Sequence, residues 1–595
     1  MTDAAVIDRT SQPYEELLRS SSAASVMSRG WILGKYAPVP VRAPIDWRFK
    51  DEASRSHNYH LHALDLIDPL LAADSAGERD KGYLEAALEV ALDWAAQHID
   101  RDRSQVSPMA WYDMAVGLRA YRLAYVFDEA RRRGLASEDQ LNLLEDTVQM
   151  HRDALIGDES FAAHSNHGLY QACGQLAMAR RLSDLPGMDE AADQARRRLA
   201  VAIASQFSSE GVHKEHSPGY HLRVLESLAG AEAAGLFDTP ELQAVLRRAR
   251  ASLAWFVKPD GRLVNFGDTD ESKVNPAFTG GEEPSGVSVF KESGYVVFRD
   301  GGSYFAQALA YHSRTHKQAD DLTFVWSENG RDIVVDAGRY GYRGRTAKGT
   351  DLWSRGFWYD DPSRVFVEST HAHNTVEIDG QSYDRRTEKP YGSALVAGGQ
   401  TAEGRVFSLG EVDHGPLGRH RRLLILAPGE WLLVVDRMQP PADTAPVKKG
   451  LFGLGGGGGT RRRYDQWFHL APDYEANPLG SASYYADDAA SGARLFVASL
   501  MKGVVGSDVY KGASKPRLQG WTSPRDGVLL PAPAFAMETS ATGPAMFATL
   551  LALSREEPQT RPAVVKDEGD RLDLAWDGVH ISVDGFLGQS PAIAG

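Results

Sequence analysis

Apolar residues recur at helical spacing along the first part of the chain, up to about residue 275. Apolar positions three and four residues apart predict amphipathic helices, and Gly, Pro, Asp and Ser separate the segments. The predicted helices are residues 83–97, 109–133, 138–155, 168–182, 188–206, 222–237 and 240–256. Many such helices in series, with few strand-like runs, predict stacked helical hairpins.

The pattern changes to alternation after residue 280. Residues 286–299 and 303–311 alternate or are rich in β-branched and aromatic residues, which predicts strands. Residues 322–327 and 331–336 flank Glu328-Asn329-Gly330, a typical hairpin-turn sequence. Further predicted strands are residues 374–378, 421–426, 431–436, 495–500, 545–553 and 579–583. The C-terminal half is therefore predicted to be a sandwich of antiparallel sheets.

A chain of 595 residues is too long for one hydrophobic core. We expect a multidomain α+β protein with a helical domain at residues 1–280 and a β-sandwich at residues 281–595. The pattern also allows a small separate β-subdomain at the C-terminal end. Residues 451–463 contain a run of glycines followed by arginines, which predicts a flexible surface loop rather than a cover for a cleft.

Composition and charge narrow the functional classes. Hydrophobic residues make up 43% and charged residues 24%, as in ordinary soluble proteins. The net charge of −15 argues against nucleic-acid binding, although a local basic cleft on an acidic protein can still bind a polyanion. Cys173 is the one cysteine, which excludes an internal disulfide and a cysteine metal cluster. The N-terminal residues lack a continuous apolar run, so we expect no signal peptide, no membrane span and a cytoplasmic location, or a periplasmic or secreted one if a signal was removed.

A tyrosine at the start of a predicted helix carries the strongest chemical signal. Ser217 is a good N-cap and Pro218 a good first helical residue, so Tyr220 lies in the first turn, between His216 and His221. Helix N-termini attract anions, and a carboxylate-bearing substrate could lie beside the phenol. The segment indicates proton transfer on an acidic substrate, with a packed tyrosine and two surface histidines as the alternative.

Three histidine-containing loops add further candidates. His164-Ser165-Asn166-His167-Gly168 precedes a helix, where an amide and an imidazolium could neutralise a carboxylate. The segment 312–321 lies between predicted strands and concentrates cations and acids, and 371–375 is the third loop. Ordinary polar connections remain the alternative for each. Two groups of aromatic and polar residues are candidates for binding sugar rings, and core aromatics and helix caps are an equally good interpretation. The first group is Trp47, Arg55, Asn58, Tyr59 and His62, and the second is Trp111, Tyr112, Asp113 and Arg119.

These segments together resemble the heparinase II/III-like polysaccharide lyases, including the oligoalginate lyases. The matching pieces are Asn166-His167, Glu215 to His221, Thr315-His316 through Asp320-Asp321-Leu322-Thr323-Phe324, Val335-Asp336-Ala337-Gly338 and Ala372-His373-Asn374-Thr375-Val376. Their order covers roughly residues 40 to 400. The resemblance implies an N-terminal incomplete (α/α) toroid followed by a C-terminal antiparallel β-sandwich.

The resemblance also implies β-elimination at a uronic acid, with a 4,5-unsaturated product. Tyr220 would be the general acid or base, and Asn166 and His167 would neutralise the carboxylate, with His167 also a candidate base. His316 would assist as base or by binding. Tyr359 lies 14 residues before His373, a spacing similar to that of a second active-site tyrosine in the alginate-lyase branch. Predicted substrate contacts are Glu215, His221, Arg314, Tyr340, Arg343, Trp111 and Arg55.

One position departs from the family pattern. Related enzymes often have a histidine two positions after the residue matching His316, where it binds zinc with an aspartate and a later histidine. Here that position is Gln318, whereas Asp336 and His373 are present. An amide is a poor zinc ligand, so the resemblance predicts at most a weak structural zinc or other divalent ion.

Two alternatives to a lyase remain open from the sequence. A glycoside hydrolase on a helical toroid would need two carboxylates, for which Asp113, Glu215, Asp268 and Asp270 are candidates. A non-catalytic glycan-binding protein is the other alternative, and Gln318 favours it slightly. The sequence does not distinguish alginate, heparan-type, hyaluronan-like and bacterial uronates, nor an endo from an exo mode. Candidate basic residues for the anionic chain are Arg314, Lys317, Arg339, Arg343 and Arg355, and a homo-oligomer is compatible with the sequence.

Overall fold

A computed structural model describes residues 22–33, 36–47, 55–99, 101–163, 166–281, 283–385, 389–441, 461–554, 563–576 and 578–595. The chain forms two compact units. The first contains the chain up to Ser208 together with Leu222–Arg248, and the second contains Ser209–His221 together with Ala249–Gly595. Helices precede strands along the chain, which confirms the predicted order of structural classes.

The helical part of the chain consists of sequential α-helices joined by short connections. Their bounds are α1 (Ala23–Arg29), α2 (Arg55–His62), α3 (Asp68–Ser75), α4 (Tyr83–His98), α5 (Asp113–Arg133), α6 (Glu138–Ile156), α7 (Asn166–Arg181), α8 (Met188–Gln206), α9 (Pro218–Ala233) and α10 (Pro240–Trp255). The predicted helices match these within a few residues. Among the described residues, none of the helices combines the length and the apolar character that crossing a membrane requires.

A capping box begins one helix, and a pair of glycines lets two other helices pack closely. Ser137 and Gln140 form a capping box at the start of α6, because each side chain bonds the backbone N–H of the other. Helix α5 is buried over most of its length and packs against α7 at two glycines. A Cβ on Gly117 would lie 2.7 Å from the backbone of Gln171, and a Cβ on Gly174 would collide with the carbonyl of Gly117. The two glycines therefore allow the close approach of these helices.

The second unit is built from antiparallel strands. Their bounds are β1 (Gly286–Phe290), β2 (Tyr295–Asp300), β3 (Ser303–Ala308), β4 (Ala310–Tyr311), β5 (Phe324–Glu328), β6 (Arg331–Val334), β7 (Val376–Ile378), β8 (Gly392–Ser393), β9 (Leu395–Gln400), β10 (Val406–Asp413), β11 (Arg419–Ala427), β12 (Trp431–Gln439), β13 (Arg462–His469), β14 (Tyr474–Gly480), β15 (Ser483–Asp488), β16 (Arg494–Ser499), β17 (Val505–Gly506), β18 (Trp521–Thr522), β19 (Leu530–Pro531), β20 (Ala534–Ala541), β21 (Ala545–Leu553), β22 (Ala563–Asp567), β23 (Arg571–Trp576), β24 (Val579–Asp584) and β25 (Ala592–Ala594). Two short helices, α11 (Asp351–Ser354) and α12 (Pro362–Glu368), interrupt the strands.

Three sheets enclose the main core of this unit. Their strand orders are β1-β2-β3-β5-β6, β14-β15-β16-β21-β12-β11-β10-β9 and β17-β20-β13-β7. Trp326, Leu424 and Phe468, one from each sheet, belong to the same buried cluster. The sheet β22-β23-β24-β25 packs on the other face of the eight-stranded sheet, where Ile425 and Leu574 share a second cluster. The C-terminal sandwich is thus a stack of antiparallel sheets, as the alternation predicted.

The hairpin between β5 and β6 forms where its turn sequence predicted it. Asn329 and Gly330 have φ angles of 53° and 70°, and a two-residue turn of this kind matches the twist of the flanking strands. Strand β10 escapes prediction because Gly410 weakens its pattern. A Cβ at Gly410 would collide with the side chain of Leu309, so close packing requires the glycine there. The predicted loop at residues 451–463 lies outside the described residues up to Thr460, and Arg462 begins β13.

Candidate active site

The segment 209–221 holds Tyr220 at the start of α9 and belongs to the sheet-rich unit. Ser217 caps the helix, since the Tyr220 N–H donates to Ser217 Oγ at 3.2 Å. Ser217 Oγ in turn donates to the carbonyl of Asp268 at 2.9 Å, and the Gly219 N–H donates to Thr269 Oγ1 at 3.1 Å. The cap therefore also ties Tyr220 to the segment that carries Asp268.

A glycine brings the two histidine-bearing segments together. Gly267 has a φ of 54°, and a Cβ there would lie 2.7 Å from the His216 carbonyl oxygen and 3.1 Å from that of His316. His216 and His316 themselves have φ angles of 60° and 55°. Left-handed backbone at non-glycine residues costs free energy and is concentrated at functional sites. The strain marks this junction as a candidate site independently of the sequence motifs.

His216 acts as a fixed bridge in this junction. Its Nε2 accepts the His312 N–H at 2.8 Å, so Nδ1 carries the ring proton and donates to the Thr315 carbonyl at 3.2 Å. Burial lowers the pKa of His216 well below its ordinary value, and Lys317 adds to the effect. The ring is therefore neutral and holds the loop that carries His316.

Tyr220 and His316 stack face to face. Their ring centroids are 3.5 Å apart and the planes differ by 17°. His316 Nδ1 lies 3.0 Å from Glu215 Oε2. Burial raises the pKa of Glu215, but the hydrogen bond from His316 and the attraction of His213 and His316 together outweigh it, so the net shift is downward and Glu215 is an ionised acceptor. With Nδ1–H donated to Glu215, Nε2 is the ring nitrogen that can accept a proton.

A second tyrosine, Tyr342, connects Tyr220 to a buried carboxylate through hydrogen bonds. The hydroxyls of Tyr220 and Tyr342 are 2.8 Å apart, and the Tyr342 hydroxyl donates to Asp268 Oδ2 at 2.9 Å. Burial raises the pKa of Tyr342 far above its ordinary value, and the negative charge of Asp268 raises it further. Tyr342 is therefore a neutral phenol.

Arg364 keeps the carboxylate of Asp268 ionised. The guanidinium binds both carboxylate oxygens, at 2.7 and 3.0 Å, and also contacts Glu368 at 2.7 Å. Burial opposes ionisation of Asp268, but attraction to Arg364 and His316 and the hydrogen bonds from Arg364 and Gln318 together outweigh it and lower the pKa. Arg364 comes from α12, which Asp361 caps through two backbone N–H groups.

Tyr359 extends the aromatic stack. Its ring lies 5.1 Å from that of Tyr342 with the planes 25° apart, and Tyr342 is 6.2 Å from His316. Arg364 lies over both tyrosine rings, at 5.1 and 5.7 Å. Burial raises the pKa of Tyr359. The structure thus joins Tyr220, His316 and Tyr359 through Tyr342.

The predicted substrate contacts in this unit occupy different environments. His221 is buried, and burial lowers its pKa to about 3, which does not suit the substrate contact predicted for it. The carboxylate of Glu215 contacts the ring of His316. Arg314 and Arg343 are exposed, with Arg343 stacked 5.5 Å above Tyr340. Arg314, Arg343 and Tyr340 therefore remain predicted contacts.

Other predicted residues lie in the helical unit. His167 Nδ1 is 3.2 Å from Asp113 Oδ2, and its ring meets that of Tyr112 edge-on at 5.9 Å. Trp111 packs 5.3 Å from His151, in a cluster where Arg119 covers Trp94. Asn166 begins α7, but its side chain and that of Arg55 lie outside the described residues.

The residues predicted to bind zinc are engaged with other groups. His373 Nδ1 bonds Asp336 Oδ1 at 2.9 Å, and the other oxygen of Asp336 accepts the Thr323 hydroxyl at 2.7 Å. Gln318 Nε2 donates to Asp268 Oδ1 at 2.9 Å and to the Gly338 carbonyl at 3.1 Å.

The donor chemistry at these positions does not fit zinc. His373 Nε2 and Gln318 Oε1 are buried polar atoms without a hydrogen-bond partner among the described residues. An imidazole and an amide oxygen are nevertheless a weak set, because structural zinc takes four Cys, His or carboxylate ligands. Over the described part of the chain, no three His, Cys, Asp or Glu side chains converge as a metal site. Gln318 instead supports the carboxylate of Asp268.

The carboxylates proposed for the hydrolase alternative are also engaged. Asp268 is buried against Arg364, and Asp270 accepts from Arg339 at 2.9 Å. A general acid must hold a proton at the working pH, which the lowered pKa of Asp268 prevents.

Tyr342 and Arg364 lie in contact with the predicted residues, but the sequence assigned no role to either of them. Tyr342 lies two positions from Tyr340 in the same polar run, and the loop has no periodicity that would favour either residue. Arg364 carries no motif of its own.

Two family models match adjacent parts of the chain. The family model described as heparinase II/III N-terminus matches residues 20–272, and the one described as heparinase II/III-like, C-terminal, matches residues 282–528. None of the curated proteins is recognisably similar in sequence.

Solved structures show the same fold. A heparan sulfate lyase mutant from Pedobacter heparinus has a TM-score of 0.71 and 16% identity, with 99% of this chain and 93% of that chain covered. A structure of heparinase III has a TM-score of 0.67 and 15% identity, over 96% and 90% of the chains. A Paenibacillus xanthan lyase has a TM-score of 0.54 and 10% identity, over 98% and 61%. The likeness confirms the helical toroid followed by the β-sandwich.

Proposed function

The chain belongs to the heparinase II/III-like family of polysaccharide lyases, and we propose that it cleaves uronic-acid-containing glycans by β-elimination. One observation carries the proposal. The phenol of Tyr220 stacks on the imidazole of His316, whose Nδ1 bonds the carboxylate of Glu215. A proton donor and a proton acceptor thus lie side by side, as an elimination requires.

His316 is the base in this proposal. Glu215 holds Nδ1–H, so Nε2 accepts the C5 proton of the uronate as the C5–H bond breaks. The ionised Glu215 then stabilises the imidazolium that forms. This is the role a carboxylate plays beside a catalytic histidine in other enzymes.

Tyr220 is the acid. The electrons of the C5–H bond form the C4–C5 double bond, and the C4–O bond breaks with its electron pair going to the glycosidic oxygen. That oxygen takes the proton of the Tyr220 hydroxyl, which leaves a phenolate. The C5 proton now on His316 passes to the Tyr220 phenolate, directly or through solvent, which resets both residues, so the reaction consumes no water.

The C5 proton becomes acidic only when the substrate carboxylate is neutralised. The family resemblance gives this role to Asn166 and His167, and the proposal retains it on the sequence motif alone. The exposed guanidinium groups of Arg314 and Arg343 are further candidates for contacts with the anionic chain.

Anionic polysaccharides are the substrate class that we propose. The similar structures include enzymes named for heparan sulfate and for xanthan. Heparan sulfate is therefore the first substrate to test, followed by heparin, hyaluronan, chondroitin, alginate and xanthan.

The test follows the ultraviolet absorbance of the conjugated product while the purified protein acts on each polysaccharide. Tyr220→Phe removes the donated proton and keeps the ring, so we expect turnover to fall by about 100-fold or more with little change in KM. Tyr485→Phe is the matched control, because it makes the same chemical change in β15, away from the candidate site in the sequence.

New absorbance with the wild type and its loss in Tyr220→Phe would support the proposal. New reducing ends without absorbance would replace it with hydrolysis. Unchanged turnover in Tyr220→Phe would rule out the acid role of Tyr220.

A further inference from the structure

We propose that Tyr342 is a positioning residue, which holds the Tyr220 hydroxyl protonated and oriented by relaying a hydrogen bond to Asp268. This inference rests on the proposed function, because it assigns the means by which Tyr220 is kept as an acid. Tyr342 is 37% exposed, and its hydroxyl links Tyr220 to the buried carboxylate.

The direction of the hydrogen bonds follows from the acceptor at the end. Asp268 is ionised, since Arg364 binds both of its oxygens and Gln318 donates to one of them. An ionised carboxylate only accepts, so the single hydroxyl proton of Tyr342 points to Asp268. The oxygen of Tyr342 can then act towards Tyr220 only as an acceptor. Tyr220 must therefore supply the proton in the 2.8 Å contact between the two hydroxyls.

These hydrogen bonds assign the acid and base roles to different residues in the resting site. As long as Tyr342 donates to Asp268, a Tyr220 phenolate would place two acceptor oxygens 2.8 Å apart, so this donation favours the protonated form of Tyr220 in the resting site. The stacked His316 is left as the base, with Glu215 on its other nitrogen. Arg364 thus keeps Asp268 ionised, and Asp268 accepts the proton of Tyr342. The oxygen of Tyr342 in turn accepts the proton of Tyr220.

The same hydroxyl can act after the proton has left. When Tyr220 has donated its proton to the glycosidic oxygen, its phenolate oxygen is within hydrogen-bonding distance of Tyr342. Tyr342 can turn its O–H from Asp268 to the phenolate, while Arg364 continues to neutralise the carboxylate. Hydrogen bonds to an ionised partner are stronger than those between neutral groups. Tyr342 would therefore stabilise Tyr220 both before and after proton transfer.

The packing around Tyr342 keeps its hydroxyl in place. Its ring lies against that of Tyr359 on one side, and Arg364 and Arg339 lie 5.1 and 5.7 Å from its centroid. Phenylalanine fits the same space, so Tyr342→Phe removes the hydroxyl without opening a cavity.

Kinetics of Tyr342→Phe test the role. We expect kcat to fall about 10- to 100-fold, KM to change less than about twofold, and the melting temperature to stay that of the wild type. The effect should vanish in a Tyr220→Phe background, because Tyr342 acts through the hydroxyl that this variant lacks. Tyr485→Phe, with the same chemical change in β15, is the control in both backgrounds.

A substrate with an activated aryl leaving group at C4 adds a second readout. Such a group departs without a proton, so the deficit of Tyr342→Phe should shrink towards that of the control. A purely structural role would leave the deficit unchanged. Wild-type kcat in Tyr342→Phe, or equal losses with and without Tyr220, would overturn the inference while leaving the proposed function intact.

A spectroscopic arm decides the question even if no panel substrate is cleaved. In protein labelled with ¹³C at the tyrosine Cζ, the signal missing from Tyr220→Phe identifies Tyr220. We expect that signal to move in Tyr342→Phe and to stay in Tyr485→Phe at one fixed pH. An unmoved Tyr220 signal in Tyr342→Phe would refute the hydrogen bond.

Discussion

His316 Nδ1 and Glu215 Oε2 lie 3.0 Å apart, although the two residues are 101 positions apart in the sequence. The carboxylate fixes which ring nitrogen carries the proton, and it would stabilise the charge formed if the ring accepts a second proton, as proposed for His316. Neither residue provides this arrangement alone. The base strength that we propose for His316 therefore depends on a residue that the sequence had suggested as a substrate contact or as a hydrolase carboxylate.

Replacing Glu215 by glutamine tests this dependence. The amide oxygen can still accept from Nδ1, but the negative charge that stabilises the imidazolium is lost. We expect kcat to fall about 10- to 100-fold with little change in KM, as measured by initial rates on the best substrate of the panel. Glu283→Gln, an exposed surface change, is the control. A Glu215→Gln enzyme with full kcat would show that His316 is not the base.

Gly267 offers a test of how the site is assembled. Alanine at this position would bring a Cβ within 2.7 Å of the His216 carbonyl oxygen, in addition to the cost of a φ of 54°. Gly261 is a matched control, because it also has a positive φ, of 83°, but a Cβ there meets nothing within 4 Å. We expect Gly261→Ala to cost about 1 kcal/mol of stability and Gly267→Ala about 2–3 kcal/mol.

Activity distinguishes the two glycine variants further. Gly267→Ala should lower kcat even at temperatures where the protein is folded, because the segments that carry His216 and His316 must move apart. Circular dichroism melts and initial rates measured on the same samples check both expectations. Equal stabilities and equal rates for the two variants would argue against the packing role of Gly267.

Metal removal should leave activity unchanged. Asp336 and His373 bond each other, and Gln318 bonds Asp268, so the donor set for zinc is weak. We expect elemental analysis of the purified protein to find substoichiometric zinc, and a chelator to leave the rate constant unaltered. Gln318→His supplies a third strong ligand and should raise the zinc content. Stoichiometric zinc in the wild type would contradict this expectation.

A buried carboxyl in the sandwich predicts a pH-dependent stability. Asp465 lies in β13 beside a cavity of about 490 Å³. Burial raises its pKa from 3.8 to about 6, although Arg463 acts in the opposite direction. Because the pKa is higher in the folded state, the protonated carboxyl favours folding fully below pH 3.8, and this contribution is lost as the pH rises through about 6.

Asp465→Asn should therefore stabilise the protein more at alkaline than at acidic pH. The amide cannot ionise, so the difference from the wild type should grow by up to about 2 kcal/mol between about pH 4.5 and pH 8. Denaturant unfolding at both pH values measures it, and Asp300→Asn, at an exposed strand end, is the control. The same difference at both pH values would show that Asp465 titrates normally.

Local patterns predicted most of the fold because the elements carry their own signals. The Ser217 cap, the alternation around β2 and the Asn329-Gly330 turn act over a few residues, and the structure has each of them. The site was predicted in part for the same reason. Tyr220 was evident from its helix start, and His316 and Tyr359 from motifs that resemble a known family.

The rest of the site depends on contacts between distant segments. Tyr342 and Tyr340 are two positions apart in a loop, and only the fold brings Tyr342 within 2.8 Å of Tyr220. Arg364 is 96 positions from Asp268, and no local pattern pairs them. Gln318 appeared to be a lost metal ligand, whereas its contact with Asp268 gives it a place in the site.

The discontinuity of the sheet-rich unit has a consequence for making chimeras within this family. Residues 209–221, with Glu215 and Tyr220, belong to the same compact unit as His316 and Tyr342, although helical sequence surrounds them. A crossover at residue 280 would therefore exchange the proposed acid, Tyr220, and the partner of the proposed base, Glu215, together with the helical sequence. Recombinant libraries that keep residues 209–221 and 249–595 from one parent would retain together the residues that we propose for proton transfer.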